Sequence, residues 1–200
     1  MRLVLASRSP QRRALLTQLA IPFRVVVSRH DEDLHQGMPA HTVESNARGK
    51  AQEVLARTRL LPDELVLGVD TVVVVDDLLL GKAADEAEAA AYVRRLAGRS
   101  HEVHSGLHLC SPQQSVTGSA VTTVTFRDLD DGAVDAYVRC GEWRERAGAY
   151  SIQGIGSALV ERVDGDYFNV VGLPVAVLLE ALAVFGLQPF SWLPDRPGRG

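Results

Sequence analysis

The chain has 200 residues, of which 46% are hydrophobic and 23% are charged, with a formal net charge of −4. This length fits one domain with a full apolar core, which excludes a wholly disordered protein. The negative balance argues against bulk attraction to nucleic acid, so any anion site must be local. Cys110 and Cys140 are the only cysteines and belong to no CxxC or Cys/His cluster, which argues against a disulfide framework or a zinc site.

The apolar stretches are too short for a targeting or membrane segment. The start, MRLVLASRSPQRR, has too short an apolar run for a signal peptide. No stretch reaches the roughly 20 apolar residues that a membrane helix needs. We therefore expect a cytoplasmic protein that binds neither nucleic acid nor membrane.

Predicted strands and helices alternate along the first half of the chain. The hydrophobic patterns predict strands at 3–6, 23–27, 65–75 and 78–80, and helices at 10–19, 43–57 and 85–98. Ser9 suits the N-cap of the first helix and Pro10 its first turn. Asp85 and Glu88 have the spacing of a capping box.

The second half continues the alternation. We expect strands at 103–109, 116–126, 159–163 and 167–171, and helices at 133–139 and 175–184. Strands alternating with helices indicate an α/β fold, and the long middle strands favour a mixed sheet. We expect a single domain over 1–187 and a mobile tail over 188–200.

The strand-to-helix turn from Ala6 to Arg13 is the first candidate site. A helix N-terminus offers unpaired N–H groups and a positive dipole end, which together favour an anion. Two serine hydroxyls and three arginines in this turn suit a phosphate. An ordinary cap with solvated arginines explains the same residues equally well.

Three charged positions are further candidates. Asp70 lies inside an apolar strand, where a carboxylate is costly to bury without a partner or a metal. It suits metal binding or activation of a water, although a strand-end Asp that accepts backbone hydrogen bonds is the alternative. Lys82 could reach a phosphate, and the acidic turn at 31–33 could bind a metal, although each also suits an exposed surface.

The small-residue segment at 147–156 implies tight loops with the backbone close to another group. Its Gln153 carries both a donor and an acceptor and could read a base edge. A packed glycine loop without a ligand is the alternative. The six histidines show neither HxxxH nor HExxH spacing, so a histidine-bound zinc is not expected.

Taken in order, these segments resemble the Maf family of nucleotide pyrophosphatases. The matching stretches are LVLASRSPQRRALL, DE at 31–32, NARGKA at 46–51, GVDTVVVVDDLLLGK at 68–82, GRSHEVHSG at 98–106, VTFRDL at 124–129, RAGAYSIQG at 146–154 and DGDYFNVVGLP at 164–174. The agreement is collinear and extends to about residue 185.

The resemblance implies a fold akin to that of the inosine-triphosphate pyrophosphatases, a mixed elongated sheet with flanking helices forming two lobes around a central cleft. It implies hydrolysis of nucleoside triphosphates to monophosphate and pyrophosphate with a divalent cation, Mg²⁺ or Mn²⁺. It also implies a homodimer and a link to inhibited septum formation.

The same resemblance assigns roles by position. Asp70 matches the general base and a metal ligand, and Glu32 matches a metal or water contact. The predicted substrate-binding residues at the phosphate end are Ser7, Arg12, Arg13, Lys50 and Lys82.

Three positions bear on which nucleobase the substrate carries. Thr71 and Gln153 agree with the dTTP/UTP branch of the family, whereas the 7-methyl-GTP branch usually has Gln and Glu there. Gln11 is closer to the 7-methyl-GTP branch, and Glu145-Arg146 replaces the usual Asp-Lys. The resemblance therefore favours dTTP and UTP. The alternatives are 7-methyl-GTP or a nucleotide-binding regulator of cell division that acts through a partner.

Overall fold

A seven-stranded mixed sheet organises the computed structural model, which describes residues 1–193. The strands are β1 (Arg2–Leu5), β2 (Phe23–Val25), β3 (Glu64–Val75), β4 (Leu78–Leu80), β5 (Ser100–Cys110), β6 (Ser115–Phe126) and β7 (Val160–Asp164). The helices are α1 (Pro10–Gln18), α2 (Pro39–Arg57), α3 (Glu86–Leu96), α4 (Asp131–Cys140), α5 (Tyr167–Val171) and α6 (Val175–Val184), with a 3₁₀ turn at Gly154–Leu159.

The strand order is β2-β1-β3-β5-β6-β7, and β4 pairs with β3 outside this path. β1 runs parallel to β2 and β3, whereas β5, β6 and β7 pair antiparallel. Nearly every residue of the central β3 is buried, as a strand rich in valine and leucine requires when both faces are covered. The predicted α/β fold with a mixed sheet is confirmed.

The strand predicted at 167–171 is wrong, because this segment forms helix α5. Asp166 caps the helix by accepting a 2.8 Å hydrogen bond from the Phe168 N–H. Gly172 ends it with φ of +121°, a conformation that glycine adopts without strain. Helix α2 also begins at Pro39, earlier than predicted.

The predicted mobile tail lies partly inside the described residues. Trp192 donates a 3.0 Å hydrogen bond from Nε1 to the Leu19 carbonyl, which ties this part of the tail to the end of α1. Residues 194–200 lie outside the described part of the chain.

Helix α2 approaches the sheet closely at two glycines. A Cβ atom on Gly68 of β3 would overlap the Ala47 carbonyl oxygen, and one on Gly106 of β5 would overlap the Val43 carbonyl oxygen. Gly106 pairs directly with Asp70 in the β3–β5 ladder. The backbone of α2 therefore lies against the sheet at the level of the one acidic residue in the middle of β3.

Gly106→Ala should push α2 away from the sheet, because the new methyl group meets the backbone of the helix rather than a movable side chain. We expect a loss of about 1–3 kcal/mol in the free energy of unfolding, measured by urea denaturation. Gly132→Ala in α4 is the control, since the nearest atom to its added Cβ is the Asp130 Oδ1 at 3.3 Å. Equal stability of the two variants would contradict the close approach.

Candidate active site

A cavity of about 800 Å³ opens beside the carboxyl end of β1 and the middle of β3. Its walls come from residues 6–12, 27–32, 70–73, 81–82, 145–147 and 170–172, with Leu34, Lys50, Val103 and Tyr150. All but two of the predicted site residues line this cavity. The residues that line it are Ser7, Gln11, Arg12, Glu32, Lys50, Asp70, Thr71 and Lys82.

Helix α2 holds the Asp70 carboxylate from one side. Asp70 is 5% exposed, its Oδ1 accepts a 2.6 Å hydrogen bond from Lys50 Nζ, and its Oδ2 accepts a 2.9 Å bond from Asn46 Nδ2. Asn46 and Lys50 are one helical turn apart, which places them on the same face of α2. The carboxylate at the cavity wall is therefore fixed at both oxygens.

Lys50 also joins Asp70 to the acidic turn. Its Nζ lies 2.7 Å from Glu32 Oε1, so one ammonium group bridges two carboxyl groups. Partial burial by itself would raise the pKa of Glu32, but Lys50, Lys82 and Arg12 together lower it below its usual value. Glu32 is therefore ionised at neutral pH.

This donor set suits a hard divalent cation. Over residues 1–193, no group of three or more His, Cys, Asp and Glu side chains is placed to hold a metal. A divalent cation bound here would take at most two carboxylates, those of Asp70 and Glu32, and a bound phosphate and waters would complete its coordination. Mg²⁺ at nucleotide sites is usually held in this way.

Arg12 connects four parts of the chain within the cavity wall. It donates from Nε to the Gly172 carbonyl (2.9 Å), from Nη1 to Ser7 Oγ (3.1 Å) and from Nη2 to Thr71 Oγ1 (3.1 Å). Burial lowers the pKa of Arg12, and the nearby Asp70 opposes that shift. The guanidinium still stays protonated, since its pKa lies far above neutral.

The N-terminus of α1 faces the same cavity. Ser9 is its N-cap and accepts a 3.4 Å bond from the Arg12 N–H. Ser9 Oγ also donates to Gln11 Oε1 at 3.0 Å, so both side chains are fixed at the cavity wall. The helix end and Arg12 therefore lie side by side at the cavity wall, where they would favour an anion, and the phosphate site stays a prediction.

Lys82 enters the cavity wall from the far side of the β3–β4 hairpin. It forms an antiparallel bridge with Ala147, and its Nζ lies 3.3 Å from Glu145 Oε2. The side chain is 42% exposed. A second cation is therefore available where the cavity opens to solvent.

The structure does not bring Arg13 and Gln153 to the cavity. Arg13 is exposed, because neighbouring helical residues differ by about 100° in direction and Arg12 occupies the inward position. Gln153 is also exposed, in a loop that Glu142 holds by accepting bonds from the Ile155 and Gly156 N–H groups.

Two site residues were missed by the sequence reasoning. Asn46 had a usable signal, since it precedes Lys50 by four residues on the same helix face. Ser105 had none, because only the β3–β5 register places its Oγ 2.9 Å from Thr71 Oγ1.

Comparison with known proteins identifies the family of the chain. Residues 2–185 match the family described as Maf-like protein. The chain belongs to the Maf-like protein family. The resemblance inferred from the motifs is thereby confirmed.

Three relatives of similar length share one name. A dTTP/UTP pyrophosphatase of Deinococcus radiodurans is 44% identical over 95% of this chain and 96% of its own length. Proteins of the same name from Moorella thermoacetica and Bacillus velezensis are 46% and 42% identical, over 94% of this chain and 96% and 98% of their own lengths.

No helix within 1–193 is both long and apolar enough to cross a membrane.

Arg12→Lys should weaken the cavity wall, because an ammonium group cannot serve three acceptors spread around a planar guanidinium. We expect a loss of about 1–3 kcal/mol in the free energy of unfolding. Inorganic triphosphate should also bind about tenfold more weakly by titration calorimetry. Arg13→Lys, the control on the next residue, should change neither quantity. Equal losses in both variants would mean that Arg13 also contributes to the site.

Proposed function

We propose that this Maf-like protein hydrolyses nucleoside triphosphates between the α and β phosphates, with dTTP and UTP as preferred substrates and Mg²⁺ or Mn²⁺ as the cofactor. The observation that carries the proposal is the buried Asp70 carboxylate, fixed at both oxygens on the wall of a cavity that also holds Arg12, Lys82 and a helix N-terminus. The name shared by the relatives supports the same activity.

The cationic residues suit the leaving group. Cleavage at the α phosphorus releases pyrophosphate, on which negative charge accumulates as the bond breaks. Arg12, Lys82 and the N-terminus of α1 can offset that charge without reorganising, because their positions are already set by the fold. Ser7 adds a hydroxyl at the same end of the cavity.

Asp70 suits the attacking water. Each of its oxygens already accepts one hydrogen bond, which leaves lone pairs for a water in the cavity. The water oxygen forms a bond to the α phosphorus, the bridging α–β oxygen leaves with pyrophosphate, and Asp70 takes the proton. A divalent cation held by Asp70 and Glu32 would supply Lewis-acid stabilisation of the phosphoryl oxygens.

Two of the three predicted specificity positions line the cavity. Thr71 Oγ1 is hydrogen-bonded to Arg12 and to Ser105, so it acts on the site through Arg12 rather than as a free reader of the base. Gln11 also lines the cavity, and it is the residue that favours 7-methyl-GTP as the second candidate. The homodimer, the cytoplasmic location and an effect on cell division stay predictions.

A nucleotide panel tests this function. Purified protein with Mg²⁺ or Mn²⁺ should release pyrophosphate from dTTP and UTP with a higher kcat/KM than from 7-methyl-GTP. Asp70→Asn should lower that rate by about 10²–10⁴-fold, as expected for loss of a general base. Asp77→Asn, an acidic residue of the exposed β3–β4 turn, should retain full activity.

Two outcomes would contradict the proposal at different levels. Absence of pyrophosphate release from every triphosphate would remove the enzymatic function. Preferential release from 7-methyl-GTP would remove only the assignment of dTTP and UTP.

A further inference from the structure

Asn46 is a buried amide in the interior of the site, with both of its N–H donors in use. It lies on α2, is 1% exposed, and makes three hydrogen bonds. Its Nδ2 donates to Asp70 Oδ2 and to the Asp33 carbonyl, each at 2.9 Å, and its Oδ1 accepts from the Asp33 N–H at 3.0 Å. A buried amide with three such bonds restrains its partners, because breaking one of them leaves a polar group unpaired.

The two oxygens of the Asp70 carboxylate accept hydrogen bonds from donors of different charge. Lys50 binds Oδ1 with a charged group that also contacts Glu32, so an incoming phosphate would compete for the ammonium group and an incoming cation would compete with it for the two carboxylates. Asn46 binds Oδ2 with a neutral group that has no anionic partner other than Asp70. We therefore expect the Asn46 bond to depend less than the Lys50 bonds on which charged groups occupy the cavity.

The pair of bonds to Asp33 extends this restraint to the acidic turn. Asp33 follows Glu32 directly, and both backbone groups of Asp33 are held by the same amide. The Asn46 side chain thus links the backbone next to Glu32 to the carboxylate of Asp70, in addition to the bridge that Lys50 makes through the Glu32 side chain. Glu32 itself is half exposed and has no comparable anchor of its own backbone in this contact.

We propose that Asn46 is a positioning residue that aligns Asp70 and the Glu32 turn for a shared divalent cation. This inference rests on the proposed function, since it assigns a role within the same site. Outer residues that orient metal-binding carboxylates typically contribute 10–100-fold to metal affinity or activity.

A matched control separates this role from simple anchoring of the turn. Thr42 lies one turn before Asn46 on α2 and is fully buried. Its Oγ1 bonds to both the N–H and the carbonyl of His35, at 3.1 and 3.3 Å, so it ties α2 to the same segment without contacting Asp70. Thr42→Val removes that tie while keeping the shape of the side chain.

The experiment measures Mn²⁺ affinity by electron paramagnetic resonance with α,β-imido-dUTP, a non-hydrolysable analogue, together with kcat and KM for dTTP. We expect Asn46→Leu to weaken Mn²⁺ binding and to lower kcat by about 10–100-fold each, with KM at saturating metal nearly unchanged. Thr42→Val should leave Mn²⁺ affinity and kcat close to wild type. Asn46→Ala provides the same test without a branched side chain, and circular dichroism checks that each variant is folded.

The outcomes distinguish this inference from the proposed function. Suppose that the wild-type protein releases no pyrophosphate, but that the Asn46→Leu variant binds Mn²⁺ more weakly than the wild type does. That result would refute the proposed function and support the positioning role. Folded Asn46 variants with wild-type Mn²⁺ affinity and kcat would overturn the positioning role while leaving the function intact. Equal losses in the Asn46 and Thr42 variants would also overturn it, because anchoring of the turn would then explain the effect.

Discussion

The structure depends on a carboxylate placed in the middle of an apolar strand. Burying Asp70 in β3 is unfavourable unless its charge and both oxygens are satisfied. Helix α2 meets that requirement with Lys50 and Asn46. These two side chains reach the carboxylate oxygens because Gly68 and Gly106 let the backbone of α2 lie against the sheet. The position of one helix and the absence of two side chains therefore both follow from the burial of one carboxylate.

The rest of the cavity is arranged around that carboxylate by a second buried charge. Arg12 reaches from α1 to β3 and to the end of α5, so the helix N-terminus that favours an anion is locked at a fixed distance from the Asp70 strand. Cationic and acidic groups are interspersed along the wall, since Lys50 contacts both Glu32 and Asp70 and Lys82 Nζ lies 3.3 Å from Glu145 Oε2. The fixed cations among them can offset the negative charge that a leaving phosphate group develops.

Sequence patterns predicted most of the fold, because hydrophobic periodicity and caps are local signals. The strand prediction for Tyr167–Val171 was wrong because aromatic and β-branched residues are typical of a strand. The cap at Asp166 and the turn at Gly172 instead make this segment a helix. The site was predicted through motif order rather than through spacing. The tertiary structure decides which of two adjacent residues faces the cavity and which strand lies beside β3. For this reason the sequence wrongly placed Arg13 at the cavity and gave no indication of Ser105.

The most direct test of the central claim is the position of the incoming oxygen. If Asp70 directs water at the α phosphorus while the cationic wall holds the leaving pyrophosphate, hydrolysis of dTTP in H₂¹⁸O places the label in dTMP, as mass spectrometry of the products would show. Label found in pyrophosphate instead would mean attack at the β phosphorus. That result would contradict both the direction of water at the α phosphorus by Asp70 and the role of the cationic residues in holding pyrophosphate as the leaving group.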